Sequence, residues 1–321
     1  MREPLFVKQN AKKWEYFEQS ATNDPDELAD NFIQITDDLA YAKTFYPKSK
    51  TTAYLNGLAS KFHQSIYKNK SEKGNRFISF WQFELPILFK TYQKQIMYSF
   101  IFFIVFCLMG TLSAKYDDNF VRLIMGDAYI DQTNANIAKG DPFGVYKSQG
   151  EVLMFFGIAA NNIYVSLVTF AAGIIFSVGS VYFLLRNGLM LGSFQYYFFS
   201  KGLGIQSILV IWIHGTLEIS SIIIAGAAGI ILGNSILFPK TFNRMVSLKK
   251  GARDGMKVAV GIIPILIVAA FFEGFVTRHT EMPVWLSITI LALSLIFMIW
   301  YVIIYPNKIY KTTQTYHATQ S

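Results

Sequence analysis

Residues 207–239 read SILVIWIHGTLEISSIIIAGAAGIILGNSILFP. Only two of these 33 side chains are ionisable, His214 and Glu218, and most of the others are apolar or small. A membrane-spanning helix needs about 20 apolar residues to cross a hydrocarbon core roughly 30 Å thick. This run exceeds that length, so it predicts a membrane helix with polar side chains inside it.

The composition of the whole chain agrees with this assignment. Of its 321 residues 52% are hydrophobic and only 16% are charged, whereas an average soluble domain has about 25% charged residues. The single cysteine, Cys107, lies in an apolar run, which excludes a disulfide framework within the chain. We predict an all-α, polytopic membrane helix bundle of about six spans, some broken or re-entrant, with a small cytoplasmic N-terminal helical domain.

Six apolar segments carry the predicted spans. They are Gln95–Ala114, Val152–Leu185, Leu189–Ser200, Ser207–Pro239, Met256–Val276 and Val284–Tyr305. The second and fourth would be about 50 Å long as straight helices, so we expect breaks at Asn161-Asn162 and at His214-Gly215. The third has only twelve apolar residues, which leaves a short span or a re-entrant segment open.

Loop charges predict the orientation of the spans. The segment 115–151 has four basic and six acidic residues, whereas 240–257 has six basic residues and one acid. The positive-inside rule places the second segment in the cytoplasm. We therefore predict a multi-pass protein of the bacterial inner (cytoplasmic) membrane, with a periplasmic loop 115–151, a basic cytoplasmic loop 240–256, and both termini cytoplasmic.

The predicted domains follow from these spans. Residues 1–75 form a cytoplasmic helical domain, 76–94 an interfacial amphipathic elbow bent at Pro86, 95–305 the transmembrane bundle, and 306–321 a cytoplasmic tail. Three helices are predicted in the first domain, Arg2–Gln19, Asp24–Tyr46 and Lys50–Asn69, from apolar residues at helical spacing. Thirteen basic and eleven acidic residues up to Lys90 nearly balance, so no nucleic-acid partner is predicted.

Ionisable side chains inside spans are rare and usually functional. His214 and Glu218 are four residues apart and share one helix face. Glu273 lies near the outer end of the fifth span, and Asn161 and Asn162 would lie at a comparable depth. The sequence therefore predicts an intramembrane polar cluster of these five residues in the outer half of the bundle.

Several uses of this cluster remain open. It would conduct or bind a cation or proton, hold a metal, or satisfy broken helix ends as a structural network. A metal signal is weak, because two-histidine spacing of the H-E-x-x-H type is absent. The chain also lacks phosphate-binding and nucleophile-elbow motifs. We assign no catalytic residues, no metal and no cofactor. A non-enzymatic protein is favoured, and catalysis by the cluster, as in an intramembrane hydrolase, stays open as a further alternative.

Small residues mark close helix contacts. Ala225, Gly229 and Gly233 form a small-xxx-small stripe, which serves either packing within one subunit or a dimer seam. The five residues of Ala171–Ile175 recur as Ala227–Ile231, an offset of 56 that aligns Asn162 with Glu218. Either a parallel internal repeat or coincidence explains this echo.

We predict that the protein is a homo-oligomer, with a dimer as the first expectation.

Several stretches share the pattern of one family. They are Tyr54-Leu-Asn56, Asn161-Asn162 through Arg186-Asn187-Gly188, Ile213-His-Gly-Thr-Leu-Glu218, Ala225-Gly-Ala-Ala-Gly229, Leu232-Gly233, Pro239, Ser247-Leu248, Gly251, Arg253 and Ala269–Glu273. This pattern resembles the stage II sporulation protein M family over most of residues 1–279. The His-Gly-x-x-Glu motif followed by Ala-Gly is the most specific part. The family usually has proline before that histidine, where this chain has Ile213.

The resemblance implies an envelope role rather than an activity. Sporulation members of the family are polytopic partners of peptidoglycan-remodelling proteins, and relatives in other bacteria are often encoded near AAA-type ATPases and von Willebrand-factor-like proteins. The family has no accepted catalytic residues. We therefore expect a non-enzymatic component of a cell-envelope complex, for peptidoglycan remodelling or membrane assembly. Its expected partners are membrane lipid and other envelope or cytoplasmic proteins. The alternative is an ion- or proton-coupled transporter or channel.

Overall fold

The structure is a computed structural model that describes residues 1–19, 25–67, 76–147, 150–278 and 282–318. Within these ranges all regular secondary structure is helical. The chain forms two compact units, Met1–Arg76 and Phe77–Ser321. The second contains five helices that are long and apolar enough to cross a membrane. The predicted all-α polytopic fold is therefore confirmed.

The N-terminal unit is a three-helix bundle of α1 Glu3–Gln19, α2 Pro25–Phe45 and α3 Lys50–Tyr67. Its core buries apolar side chains from all three helices: Phe6, Trp14, Phe17, Ile35, Leu39, Ala42, Leu55, Leu58, Ala59 and Phe62. The indole Nε1 of Trp14 donates a hydrogen bond of 2.8 Å to Asp38 Oδ2. The three helices agree with the predicted ones, whose ends at Asp24 and Asn69 lie outside the described residues.

The second unit begins with a helical elbow. It runs through α4 Arg76–Ser79, a π-helical turn Phe80–Glu84 and α5 Leu85–Thr91. Pro86 lies in the first turn of α5, where the wider π turn before it accommodates a residue without an N–H group. The indole of Trp81 donates to Gly261 O at 2.9 Å, and Tyr301 Oη donates to Trp81 O at 2.8 Å, so the elbow is hydrogen-bonded to the bundle.

The membrane helices follow in chain order. Five meet the length and hydropathy requirement, and the first three are α6 Gln93–Tyr116, α9 Glu151–Ala171 with a 3₁₀ turn Ala172–Ile174, and α11 Gly204–Leu237. The fourth is formed by α12 Arg244–Gly261, α13 Ile263–Phe271 and a π turn Phe272–Val276. The fifth is formed by α14 Val284–Ile299, a π turn Trp300–Ile304 and α15 Tyr305–Ala318. Their number confirms that the protein crosses the membrane several times.

The prediction of one span over residues 152–185 is wrong. Helix α9 ends at Ala171, and the chain reverses through Phe176 and Ser177, which have φ angles of +48° and +68°. Helix α10 then runs from Val178 to Ser200. Gly173 and Gly179 flank the reversal, but the two residues with positive φ are not glycines, and tertiary packing holds them in a conformation that such residues rarely adopt.

The third predicted span therefore begins at residue 178 and not at Leu189. Helix α10 has 23 residues, about 35 Å of helix, so it is longer than the predicted twelve-residue segment, although it is not among the five helices that meet the length and hydropathy requirement. Its Gly188 packs on Phe103 and Phe106 of α6, and Gly192 packs farther along α6 on Cys107. The two helices thus run side by side in the same direction, and the glycines of α10 contact the middle of α6.

The predicted helix breaks at Asn161-Asn162 and His214-Gly215 are also wrong. Both α9 and α11 continue through these positions. A glycine within a helix costs only about 1 kcal/mol relative to alanine, and the polar side chains there interact with other polar side chains rather than with broken backbone. The 34-residue α11, about 51 Å long, is the central helix, and its residues 221–233 are all buried.

Both predicted loops contain helices. The segment 115–151 includes α7 Asp118–Met125, α8 Asp127–Ala138 and a 3₁₀ turn Gly144–Lys147. Most of the basic segment 240–256 belongs to α12, whose N-cap Asn243 accepts a 2.9 Å hydrogen bond from Met245 N. The basic segment is thus helical from Arg244, because a strong N-cap residue precedes a stretch without proline.

The small-residue stripe is buried inside the chain. A Cβ atom at Gly229 would overlap Ser180 and the backbone of Thr169, and one at Gly233 would overlap Ser177. Ala225 is fully buried. Of the two uses that the sequence left open, the stripe serves packing within the subunit.

The two copies of the five-residue echo lie against each other. A Cβ atom at Gly173 would overlap the backbone of Gly229. The first copy ends a helix, whereas the second lies in the middle of α11. The echo therefore marks a close approach of two helices rather than two copies of one structural unit.

Candidate functional site

The centre of the candidate site is on α11. His214 is only 3% exposed, and Glu218 lies four residues later on the same continuous helix. Because side chains at i and i+4 share a helix face, the imidazole and the carboxylate project in the same direction. The central position of α11 places this face inside the bundle.

The opposite wall of the site is the π turn Phe272–Val276 that follows α13. This turn is closed by a 2.8 Å hydrogen bond from Thr277 N to Phe272 O. It holds Glu273, while Thr277 lies four residues later and is 2% exposed. Single π turns in α-helices occur often at functional sites because they re-aim side chains.

The structure brings these side chains together. The Nδ1 atom of His214 lies 2.9 Å from Thr277 Oγ1, and its Nε2 atom lies 3.9 Å from Glu273 Oε2. One nitrogen or oxygen atom from each of His214, Glu218 and Glu273 lies within 4.8 Å of the other two. Three side chains from two chain segments 55 residues apart thus converge on one point.

Helix α9 supplies the third wall. Asn162 is 7% exposed and lies close to Glu218, yet its Nδ2 atom has no hydrogen bond of good geometry. One turn farther along α9, the hydroxyl of Ser166 is also buried without a partner, as is that of Ser221 on α11. The polar interior therefore extends beyond the cluster with unsatisfied donors.

Asn161 is placed differently from the rest of the predicted cluster. It lies on the exposed face of α9 and approaches only Asn162, with Nδ2 3.4 Å from Asn162 Oδ1. Adjacent residues on a helix point about 100° apart, so both amides cannot face the interior. The structure brings together four of the five predicted side chains.

A helical cap of α7 and α8 lies at the end of the bundle nearest the site. Burial raises the pKa of Tyr129 on α8 to about 12, with smaller contributions from Tyr197 and from the charge of Glu273. Tyr129 is therefore near the cluster. At the same end, Arg278 Nη1 lies 3.7 Å from Glu151 Oε1.

Two cavities lie in or beside the helical bundle. One of about 140 Å³ adjoins the site and is lined partly by Ile213, Thr277, Gln206 and Ser287. A larger one of about 630 Å³ lies between the elbow, α6, α11 and α14, and its lining is mainly apolar. None of the five predicted cluster residues lines either cavity, but the smaller one reaches Thr277, whose hydroxyl contacts His214.

These features define a polytopic α-helical membrane protein with a buried polar site at one end of its bundle. Residues 99–278, more than half of the chain and including every cluster residue, match the family Stage II sporulation protein M. The chain belongs to this family, as its resemblance indicated. Residues 4–68 match a second family, Domain of unknown function (DUF8413). No curated protein and no solved structure matches the chain.

Sequence reasoning missed Thr277 and Tyr129. The signal for Thr277 was available, since it is a polar residue four positions after Glu273 and so lies on the same helix face. Tyr129 carried no comparable signal. Its proximity depends on how α8 folds over the end of the bundle.

Proposed function

We propose that the protein is a non-enzymatic component of a cell-envelope complex in the bacterial cytoplasmic membrane, acting in peptidoglycan remodelling or membrane assembly. The observation that carries this proposal is that the family match covers the helices from α6 to the π turn Phe272–Val276, together with the cap of α7 and α8, and leaves out α14 and α15 of the bundle. Sporulation members of this family are partners of peptidoglycan-remodelling proteins. The cap of α7 and α8 has exposed polar side chains, among them Asp127 and Gln132, on the side proposed to face such partners.

The proposed orientation puts the cap outside the cytoplasm. It rests on the excess of basic residues in 240–257 over 115–151. Single cysteines at the exposed positions Gln132 and Lys249, in a Cys107→Ser background, test it with a membrane-impermeant thiol reagent. We expect labelling of Gln132→Cys in intact cells and of Lys249→Cys only after permeabilisation. The reverse pattern would refute the orientation.

Site-specific crosslinking tests the envelope role. A photoreactive residue at Gln132 in the cap should give crosslinks to extracytoplasmic cell-wall enzymes in the native host. The matched residue at Lys249 should not, because it lies at the other end of the bundle. Crosslinks to cell-wall enzymes from neither position, in a strain where the protein is functional, would contradict the proposal.

A second candidate function is ion- or proton-coupled transport. It is favoured by the convergence of His214, Glu218 and Glu273 inside a membrane bundle. Purified protein in proteoliposomes should then show a pH- or cation-dependent flux that Glu218→Gln abolishes. Glu15→Gln, which removes an exposed carboxylate from the N-terminal unit, is the matched control. A well-folded Glu218→Gln protein with unchanged flux would exclude this use of the cluster.

We also propose that the protein forms a homodimer. The stripe of Ala225, Gly229 and Gly233 is used within the chain, so the interface would lie on another face. Native mass spectrometry from nanodiscs tests this, and a monomer at all protein concentrations would contradict it.

A further inference from the structure

We infer that His214, Glu218 and Glu273 bind one divalent first-row transition-metal ion, such as Zn²⁺, Mn²⁺ or Fe²⁺. This inference goes beyond the envelope role and does not depend on any partner protein. It rests on the geometry of the three side chains, on their surroundings and on their charge.

The three potential ligand atoms are close enough to share an ion. They lie within 4.8 Å of one another, and His214 Nε2 is 3.9 Å from Glu273 Oε2. Ligand atoms about 2.0–2.2 Å from a zinc ion lie roughly 3–4 Å apart. Small rotations of the two flexible glutamate side chains would therefore complete the coordination.

The histidine is already held as a metal ligand requires. A ligating imidazole usually uses its second nitrogen in a hydrogen bond that fixes the tautomer and ring orientation. Here Nδ1 lies 2.9 Å from the hydroxyl of Thr277, while Nε2 faces Glu273. With the Nδ1–H group donating to Thr277, the lone pair of Nε2 points towards the carboxylates.

Charge balance favours a divalent ion. Within the described residues, neither Glu218 nor Glu273 forms an ion pair with a lysine or arginine. Two ionised carboxylates at this depth would carry an uncompensated charge of −2, which is costly inside a membrane. A divalent cation bound by two carboxylates and one neutral imidazole makes the site electrically neutral.

Asn162 provides an independent indication of a ligand. Its side chain is more than nine-tenths buried, lies near Glu218 and has an amide nitrogen without a hydrogen bond of good geometry. The two ends of an amide are interchangeable by rotation, so its oxygen can face the same point. That oxygen would be a fourth ligand.

The mixture of donor atoms selects the kind of metal. Calcium and magnesium prefer sites made only of oxygen atoms. An imidazole nitrogen combined with carboxylates suits zinc, manganese or iron(II). The sequence alone gave a poor metal signal because Glu273 is 55 residues from Glu218, and local spacing does not reveal so distant a ligand.

Metal binding to the full chain in nanodiscs tests the inference. After removal of metal with EDTA, the protein is incubated with Zn²⁺ or Mn²⁺, and bound metal is measured by mass spectrometry after gel filtration. We expect about one ion per chain, and at least a tenfold loss of affinity in His214→Gln, Glu218→Gln and Glu273→Gln. Glu151→Gln removes a carboxylate at the same end of the bundle and should bind like the wild type. Mg²⁺ at the same concentration should not bind.

Thr277 is a positioning residue with its own test. Thr277→Val should lower metal affinity about 10- to 100-fold and change the visible absorption spectrum of bound Co²⁺, whereas Thr277→Ser should restore both. Gel-filtration profiles show whether each variant is folded, and a Zn²⁺-dependent rise in melting temperature confined to proteins with intact ligands is a second readout.

The inference is overturned if folded wild-type protein binds no metal, or if binding is unchanged in all three ligand variants. The first result would indicate that protons neutralise the carboxylates, and the second that the ion is bound at the surface. Neither outcome affects the crosslinking test of the envelope role.

Discussion

The buried hydroxyl group of Ser180 stabilises the reversal between α9 and α10. Ser180 Oγ donates a 2.6 Å hydrogen bond to Thr169 O near the end of α9, where backbone carbonyls have few helical partners. Ser193, on the same helix and equally buried, makes only a 3.5 Å contact with Gly110 O. Two serines of equal burial thus differ in what they stabilise.

Ser180→Ala should therefore lower the free energy of unfolding by about 1–2 kcal/mol, because it leaves a buried carbonyl without its donor. Ser193→Ala should have a smaller effect. Thermal melting in one detergent compares the two variants. Equal losses would mean that the Ser180 hydrogen bond does not stabilise the reversal.

At the scale of elements, the close packing of α11 depends on particular glycines. Gly229 faces Ser180 and the backbone of α9, with no room for a methyl group, whereas a Cβ atom at Gly215 would meet only Ile219 Cδ1 at 3.9 Å. The two glycines share a helix but have opposite surroundings.

We expect Gly229→Ala to destabilise the protein by about 1–3 kcal/mol through overpacking. Gly215→Ala should be neutral or stabilise α11 by up to about 1 kcal/mol, since alanine favours helices. Melting temperatures in detergent measure both effects. A destabilised Gly215→Ala protein would show that Gly215 has a packing role after all.

The start of α12 gives a second prediction at this scale. Asn243→Ala should lower stability by about 0.5–2 kcal/mol, because Met245 N loses its acceptor at the N-cap. Thr241, exposed and two residues earlier, is the control position for an alanine substitution. If both substitutions have the same effect on thermal melting, the capping assignment is wrong.

At the scale of the whole molecule, the N-terminal unit has its own hydrophobic core of side chains from three helices. A helical unit with a complete core does not require the membrane to fold. Its core composition resembles that of a small water-soluble domain, whereas the second unit exposes apolar side chains along its membrane helices.

We predict that residues 1–76, expressed alone, are helical and unfold cooperatively in water, as measured by circular dichroism. Trp14→Ala should destabilise this fragment by about 3–5 kcal/mol, whereas Leu5→Ala at an exposed position should change little. A fragment without helical structure would show that the unit depends on the rest of the chain.

Hydrophobic patterning by itself determined the class of fold and most of the helices. These depend on local composition and on helical periodicity, which the sequence contains directly. The side chains His214 and Glu218 were assigned to one face for the same reason, since four residues separate them on any helix.

Only the tertiary structure decided where the chain reverses and which polar groups meet. The positive φ angles fall on Phe176 and Ser177 and not on the neighbouring Gly173 or Gly179, so the sequence did not locate the end of α9 and the start of α10. The convergence of Glu273, Thr277 and Asn162 on α11 depends on how separate helices pack, and distance along the chain does not encode it. Local periodicity sets which face a side chain takes, but contacts between helices set what that face touches.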